Sequence, residues 1–227
     1  MDSRWVLLQA WLPSVLAQAY RVQGWGEVGE GLLEPASADA SFRRYFRWRD
    51  GVRSLIIMDA PPEKEDSRPF VEIARLLDKA GVRTPRILGA DLDQGFLLLD
   101  DMGTSTYLQT IQAGVSEAEL DRMFDTAVST LVRWQSSSRP GVLPEYDEAV
   151  LRRELQLFPD WYVARAKGRE LTAPEREDWE VLCRLLLDSI LTEQRVFVHR
   201  DYMPRNLMTG PGEPGVLDFQ DALYGPI

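Results

Sequence analysis

The sequence predicts an α+β chain: a small antiparallel β region with one inserted helix, followed by a mainly helical region. Three observations carry that prediction. Between residues 32 and 99 the apolar residues fall in short β-rich runs separated by turn residues. From residue 104 to 191 they recur at helical spacing. Near the end, two more apolar runs, at 195–198 and 216–217, each lead into a polar loop carrying Asp or Asn. The change of pattern lies at residues 99–103 and divides the chain into 1–99 and 100–227, with a ligand site expected at the junction.

Taken in order, residues 2–20 place Trp5, Leu8, Leu12, Val15, Leu16 and Ala19 on one helical stripe, which Pro13 is expected to kink or divide. A Gly-rich polar loop follows to Gly31. Residues 32–33, 43–48 and 54–58 read as strands, and the small residues from Pro35 to Ser41 as the loop joining the first two. Pro69 marks the start of a helix whose apolar face holds Phe70, Ile73, Ala74, Leu76 and Leu77, and Gly81 ends it. Strands at 86–90 and 96–99 complete the β region. Helices are then expected at 104–112, at 116–136 behind a capping-box pattern from Ser116 to Glu119, at 146–158, and at 174–191 behind Thr172. The abrupt stop after Asp221 suggests that further residues follow Ile227.

The composition is that of a soluble globular protein, with net charge −10. Residues 1–99 carry 14 acids and 13 bases; residues 100–227 carry 22 acids and 13 bases. So acidic a surface argues against nucleic acid as a partner. No run of 18 apolar residues is present, so no membrane span is expected, and the N-terminus lacks the features of a signal peptide. The single cysteine, Cys183, fits a reducing, cytoplasmic compartment. The sequence leaves the oligomeric state open.

The chemistry sits in the two late motifs. His199-Arg-Asp201 is followed by Asn206, and the next strand ends in Asp218-Phe-Gln. Phosphoryl transfer from a magnesium nucleotide needs a carboxylate to orient the attacking hydroxyl and hard oxygen ligands for the metal. Asp201 fits the first role, Asn206 and Asp218 the second, in the expected order and spacing. His199 is read as a packing residue that holds the loop. Asp221 is open between touching substrate and capping the following turn, and Arg205 between reaching phosphate and making a surface ion pair. The loop carrying Ser37, Asp39 and Ser41 offers backbone N–H groups to phosphate. No Walker A sequence or G-x-G-x-x-G is present.

These residues, with the segments at 38–46, 58–62, 97–103, 199–208 and 216–227, resemble the aminoglycoside phosphotransferase-like kinases. Among these they look most like the bacterial kinases that phosphorylate N-acetylmuramate and N-acetylglucosamine at the anomeric hydroxyl in peptidoglycan recycling. The resemblance implies a bilobal protein-kinase-like fold, ATP and Mg²⁺ as cofactors and a small amino sugar as substrate. It assigns Asp201 as the catalytic Asp, Asn206 and Asp218 as metal ligands, and Leu99, Asp101 and Met102 as the strand that holds adenine. Glu72 falls where such kinases keep a Glu paired to a strand Lys, but Met58 occupies the Lys position. Either Arg43 or Arg44 stands in, with Arg43 counted among the nucleotide-binding residues, or Glu72 is a surface residue. Met203 in place of a Lys points away from protein substrates, and Asp-Phe-Gln in place of Asp-Phe-Gly away from an activation-loop switch. Two other functions stay open: phosphorylation of an aminoglycoside or other amino alcohol, and a pseudokinase that binds nucleotide without turnover.

Overall fold

The computed structural model describes residues 2–38, 42–210 and 214–227. Two compact units emerge from the packing: Met1–Thr130 with Asp201–Gln220, and Leu131–Arg200 with Asp221–Ile227. The first unit thus takes in residues 100–130 and the late stretch Asp201–Gln220 as well as residues 1–99.

In the first unit, helix α1 (Ser3–Gln23) is capped by the Asp2 carboxylate, which accepts the Arg4 and Trp5 N–H groups, and it ends at Gly24 in the left-handed conformation. Pro13 lies inside this helix and does not divide it. The proline faces solvent, so the carbonyl it leaves unbonded can reach water. Meanwhile the stripe Leu8, Leu12, Val15, Leu16 and Ala19 is buried on both sides of it against the sheet and keeps the helix continuous.

That sheet is fully antiparallel and has the order β1-β2-β3-β5-β4 among the described residues. Its strands are β1 (Leu32–Ala38), β2 (Arg44–Arg49), β3 (Ser54–Asp59), β4 (Ile87–Asp91) and β5 (Phe96–Asp100), with α2 (Arg68–Lys79) inserted after β3 as expected. Strand β1 is longer than the sequence suggests. Pro35 pairs with Phe46 and a bulge follows before Ser37, so the residues expected to open a loop belong to the strand. A proline is tolerated there because β1 is an edge strand.

Alternation along the strands divides the sheet into two faces. Phe46, Trp48, Leu55, Ile57, Phe96 and Leu98 pack with α1. Tyr45, Arg47, Ile56 and Leu99 point to the other face. Where the α1 face ends, Asp59 is fully buried and joins Arg4 of α1 to Arg44 of β2. Gly95 turns the β4–β5 hairpin with φ +73°, and a Cβ there would lie 1.8 Å from the Ala60 carbonyl oxygen. Gly95→Ala is therefore expected to cost upwards of about 2 kcal/mol in denaturant unfolding. Gly114→Ala, at φ +96° with open space around it, should cost only the strain of its backbone.

Beyond the sheet come α3 (Tyr107–Ala113), with a Thr106–Gln109 capping box, and α4 (Glu117–Ser136), whose chain continues into the second unit. A 3₁₀ turn (Pro204–Asn206) and the short hairpin β7 (Leu207–Met208) and β8 (Gly215–Val216) complete the first unit.

The second unit holds α5 (Glu148–Leu157), a π-helix over Phe158–Ala166, and α6 (Ala173–Ile190) with the expected Thr172–Glu175 capping box. The π-helix was not legible from periodicity. Its i−5 bonding shows at the end, where Lys167 N–H reaches the Tyr162 carbonyl at 3.0 Å. Strand β6 (Arg195–Val198) pairs antiparallel with β9 (Leu223–Pro226). Tyr224-Gly225-Pro226 lies within β9. Pairing with β6 and the Tyr146–Tyr224 backbone bond at 2.7 Å satisfy it, and Trp134 and Phe197 pack 4.8 Å apart in the same unit. Arg200 donates to Glu154, which also accepts from the Tyr146 hydroxyl, and His199 is buried. Among the described residues no helix is long and apolar enough to cross a membrane.

Candidate functional site

The site is built by the returning stretch Asp201–Gln220 of the first unit. Asn206 ends the 3₁₀ turn, and the β7–β8 hairpin folds the chain back so that Leu217 N–H bonds the Asn206 carbonyl at 2.9 Å. Residues 206 and 218, twelve apart in sequence, are thereby adjacent. The Asn206 amide nitrogen donates to the Asp201 carbonyl at 2.9 Å and to Asp218 Oδ2 at 3.3 Å. Gln220 donates to Asp218 Oδ1 at 2.8 Å. Asp218 itself is left-handed, at φ +59°, a conformation costing about 1–2 kcal/mol that the hairpin and its two hydrogen bonds maintain.

The hairpin is pinned to its surroundings by Val216 N–H to the Arg83 carbonyl at 2.8 Å and Thr209 N–H to the Ser105 carbonyl at 3.0 Å. Tyr202 ties the loop to α4 through the Ala127 carbonyl at 2.7 Å. The Asp201 carboxylate is exposed and makes no hydrogen bond or ion pair among the described residues.

A cavity of about 490 Å³ opens beside this group, a volume suited to a small-molecule ligand. Ile56 and Leu99 from the sheet, with Met208 and Leu217 from the hairpin, supply its apolar wall. Residues 100–104 form one border, and Arg205, Asn206, Asp218 and Gln220 a polar one. An apolar slot with a charged end suits a flat heteroaromatic group carrying phosphates.

The border at Asp101 is rigidly held. Arg47 grips the Asp101 carboxylate with Nε at 2.7 Å and Nη2 at 3.1 Å, and also donates to the Gly103 carbonyl at 2.9 Å. The Ser54 hydroxyl and the Gly103 N–H, at 3.0 Å, bond the same carboxylate. Burial pushes the Asp101 carboxyl up, but the hydrogen bonds from Arg47, Ser54 and Gly103 outweigh it and hold the group below the usual aspartate range. A depressed folded pKa stabilises above the ordinary aspartate range and loses its effect as pH falls through the folded value. Arg47→Met should reverse this. It leaves a nearly buried carboxylate without its cation, so the destabilisation seen by chemical denaturation at neutral pH should shrink on acidification. A cost independent of pH would contradict that account.

Of the nucleotide-binding residues named from the sequence, Leu99, Asp101 and Met102 line the cavity, though the Asp101 carboxylate is committed to Arg47 and Ser54. Ser37 sits in β1 opposite Tyr45, and Asp39 and Ser41 lie outside the described residues. Arg43 is also absent from the wall; Glu65 holds its guanidinium at 2.6 Å. Arg44 is turned to the α1 face, engaged with Asp59 and Asp2. Glu72 is exposed on α2 and Met58 is fully buried, so no ion pair joins those two positions. Phe70 of α2 instead meets Phe219 with ring centroids 4.8 Å apart. Asp221 is exposed in the second unit and is not a lining residue.

Arg47 and Gln220 are the residues that sequence reasoning passed over. Strand alternation was the available signal for Arg47: with Phe46 and Trp48 on the core face, Arg47 must face the other way. Gln220 was noted for the glycine it replaces, not for the hydrogen bond it makes.

A metal ligand set can be tested on this geometry. Asn206 and Asp218 offer hard oxygens, and each Asp218 oxygen accepts one hydrogen bond, leaving lone pairs for a cation. Among the described residues no three His, Cys, Asp or Glu side chains cluster as a metal site. A divalent ion here would therefore take the rest of its shell from phosphate and water, as Mg²⁺ commonly does.

Residues 33–227 match the phosphotransferase enzyme family. Over 226 residues the chain is 56% identical to an N-acetylmuramate/N-acetylglucosamine kinase of Pseudomonas aeruginosa, covering all of this chain and 66% of that protein. A protein of the same name from Neisseria meningitidis is 47% identical over 194 residues, which cover 85% of this chain and 57% of the relative. The chain thus spans about two thirds or less of the length of the curated relatives it matches. Among solved structures, an ADP-bound aminoglycoside phosphotransferase superposes with TM-score 0.61 at 17% identity, over 92% of this chain and 72% of that one. A choline kinase of Streptococcus pneumoniae superposes with TM-score 0.57 at 13% identity, over 91% and 68%. These likenesses establish the α+β fold of such kinases, and the match over most of the chain's length shows that it belongs to the phosphotransferase enzyme family.

Proposed function

We propose that this chain carries the nucleotide-binding and catalytic part of an ATP-dependent kinase that phosphorylates the anomeric hydroxyl of N-acetylmuramate or N-acetylglucosamine. The observation that carries the reading is the joining of Asp201, Asn206 and Asp218 through the Asn206 amide beside a cavity with an apolar wall. The amino sugar is supported by the names of relatives that are 56% and 47% identical.

In this reading the cavity takes the adenine against Ile56, Leu99, Met208 and Leu217. Asp201, whose carboxylate has no competing partner among the described residues, accepts the hydrogen bond of the sugar hydroxyl, orients its oxygen and takes up its proton. Asn206 and Asp218 hold Mg²⁺. When bound, the ion neutralises charge on the phosphates, which is where phosphoryl transfer needs stabilisation. Gln220 keeps the Asp218 carboxylate in one orientation.

The test is to incubate the protein with ATP, Mg²⁺ and each sugar and to look for the sugar 1-phosphate. Formation from either sugar supports the proposal. Phosphorylation of an aminoglycoside or choline, with neither amino sugar turned over, would replace it.

A further inference from the structure

We propose that Arg205 is the side chain that binds the phosphates of the nucleotide, replacing the cation that β3 lacks. The inference rests on the nucleotide reading of the cavity and concerns how this chain compensates phosphate charge. On β3, alternation puts Ser54, Ile56 and Met58 on the face away from α1; none is cationic, and Met58 is fully buried.

Of the nearby arginines, Arg83 has no ion pair among the described residues but does not line the cavity, and the others are neutralised. Arg4 and Arg44 meet at Asp59, Arg43 pairs with Glu65, Arg47 with Asp101, and Arg86 with Asp100 at 2.9 Å. Arg205 is different. It lines the cavity, is exposed, and has no hydrogen bond or ion pair among the described residues.

Its backbone is well fixed. Pro204 restricts the turn before it, and the Asn206 N–H closes that turn on the Met203 carbonyl at 2.8 Å. Arg205 thus lines the cavity together with Asn206 and Asp218, at the polar border where phosphates would lie next to the metal ligands. Its charge balance fits as well. Among the lining residues Arg47 cancels Asp101, and Arg86 cancels Asp100, which leaves Asp218 as the unpaired carboxylate of the wall and Arg205 as its unpaired cation. A planar guanidinium can donate two parallel hydrogen bonds to phosphate, which a lysine cannot.

The ligand class is a nucleoside di- or triphosphate, and the test separates its phosphates from its base. Binding of ATP, ADP and adenosine is measured by calorimetry on the unaltered protein and on Arg205→Gln and Arg205→Lys. ATP and ADP should weaken about 10- to 100-fold in Arg205→Gln, the span for one lost charge-assisted hydrogen bond or pair of bonds. Adenosine should stay within about twofold, and Arg205→Lys should recover part of the loss. Unchanged ATP affinity in Arg205→Gln overturns the assignment while leaving the nucleotide site standing. Equal weakening of ATP and adenosine also overturns it, because the effect would then not be on phosphate. If the unaltered protein binds neither ATP nor adenosine, the nucleotide reading itself fails and this assignment with it.

Discussion

Asp201→Asn should slow phosphoryl transfer by about 10²- to 10⁴-fold, the usual contribution of a positioned general base, while ATP affinity stays within about twofold. The separation follows from what each part of Asp201 does. Its backbone carbonyl accepts the Asn206 amide and survives the substitution. Its carboxylate is exposed and makes no hydrogen bond or ion pair among the described residues, so an amide of the same shape breaks no such interaction. Only the charged acceptor is removed. Asn206→Ala and Asp218→Ala should behave differently, because each breaks a side-chain hydrogen bond that holds the pair together, and each should weaken the dependence on Mg²⁺. Single-turnover assays with ATP binding measured alongside would decide the matter. Turnover unaffected by Asp201→Asn would remove this residue from the mechanism.

Asp59→Ala should destabilise the chain by about 3–5 kcal/mol, the typical cost of breaking a buried ion pair from one side. Asp59 is fully buried and accepts from Arg4 Nε at 3.1 Å and Arg44 Nε at 3.0 Å, with a further short contact from each guanidinium. Its removal leaves two cations facing one another. Arg44, at 38% exposure, can still reach Asp2 and water; Arg4, at 18%, is largely shut in, with the Gln94 carbonyl at 2.6 Å and the Phe96 ring beneath it. For a chain of this size that cost corresponds to roughly 6–20 °C in melting temperature. Adding Arg4→Met to Asp59→Ala should recover part of it by removing the stranded charge. A loss below about 1 kcal/mol, or no recovery in the double variant, would show that the triad contributes little.

Much of the fold was legible because local pattern and final structure agree. The strand runs and the helix inserted after the third of them appear where the sequence places them, as do the Thr172 cap and the helix behind Ser116. Disagreement arose wherever a partner distant in sequence overrode a local signal. Pro13 reads as a helix breaker, yet a stripe buried on both sides of it keeps α1 continuous. Pro35 reads as a loop, yet Phe46 pairs with it at a sheet edge. The candidate site divides the same way. Arg43 and Arg44 were reasonable stand-ins for the missing strand Lys, because nothing local reveals that Glu65 and Asp59 have already claimed them.

The order of the main strands and helices, and the proposal of Asp201, Asn206 and Asp218 as site residues, follow from residue pattern alone. Hydrophobic periodicity and the spacing of polar residues around two short strands are properties of the chain read in one dimension. Packing settled the rest. It set Asn206 Nδ2 3.3 Å from Asp218 and brought Arg47 from β2 onto Asp101. It buried Met58 and left Arg205 facing the cavity without a carboxylate partner among the described residues. Ion pairing and burial depend on distances through space, which fall off within a few ångströms and which spacing along the sequence does not encode.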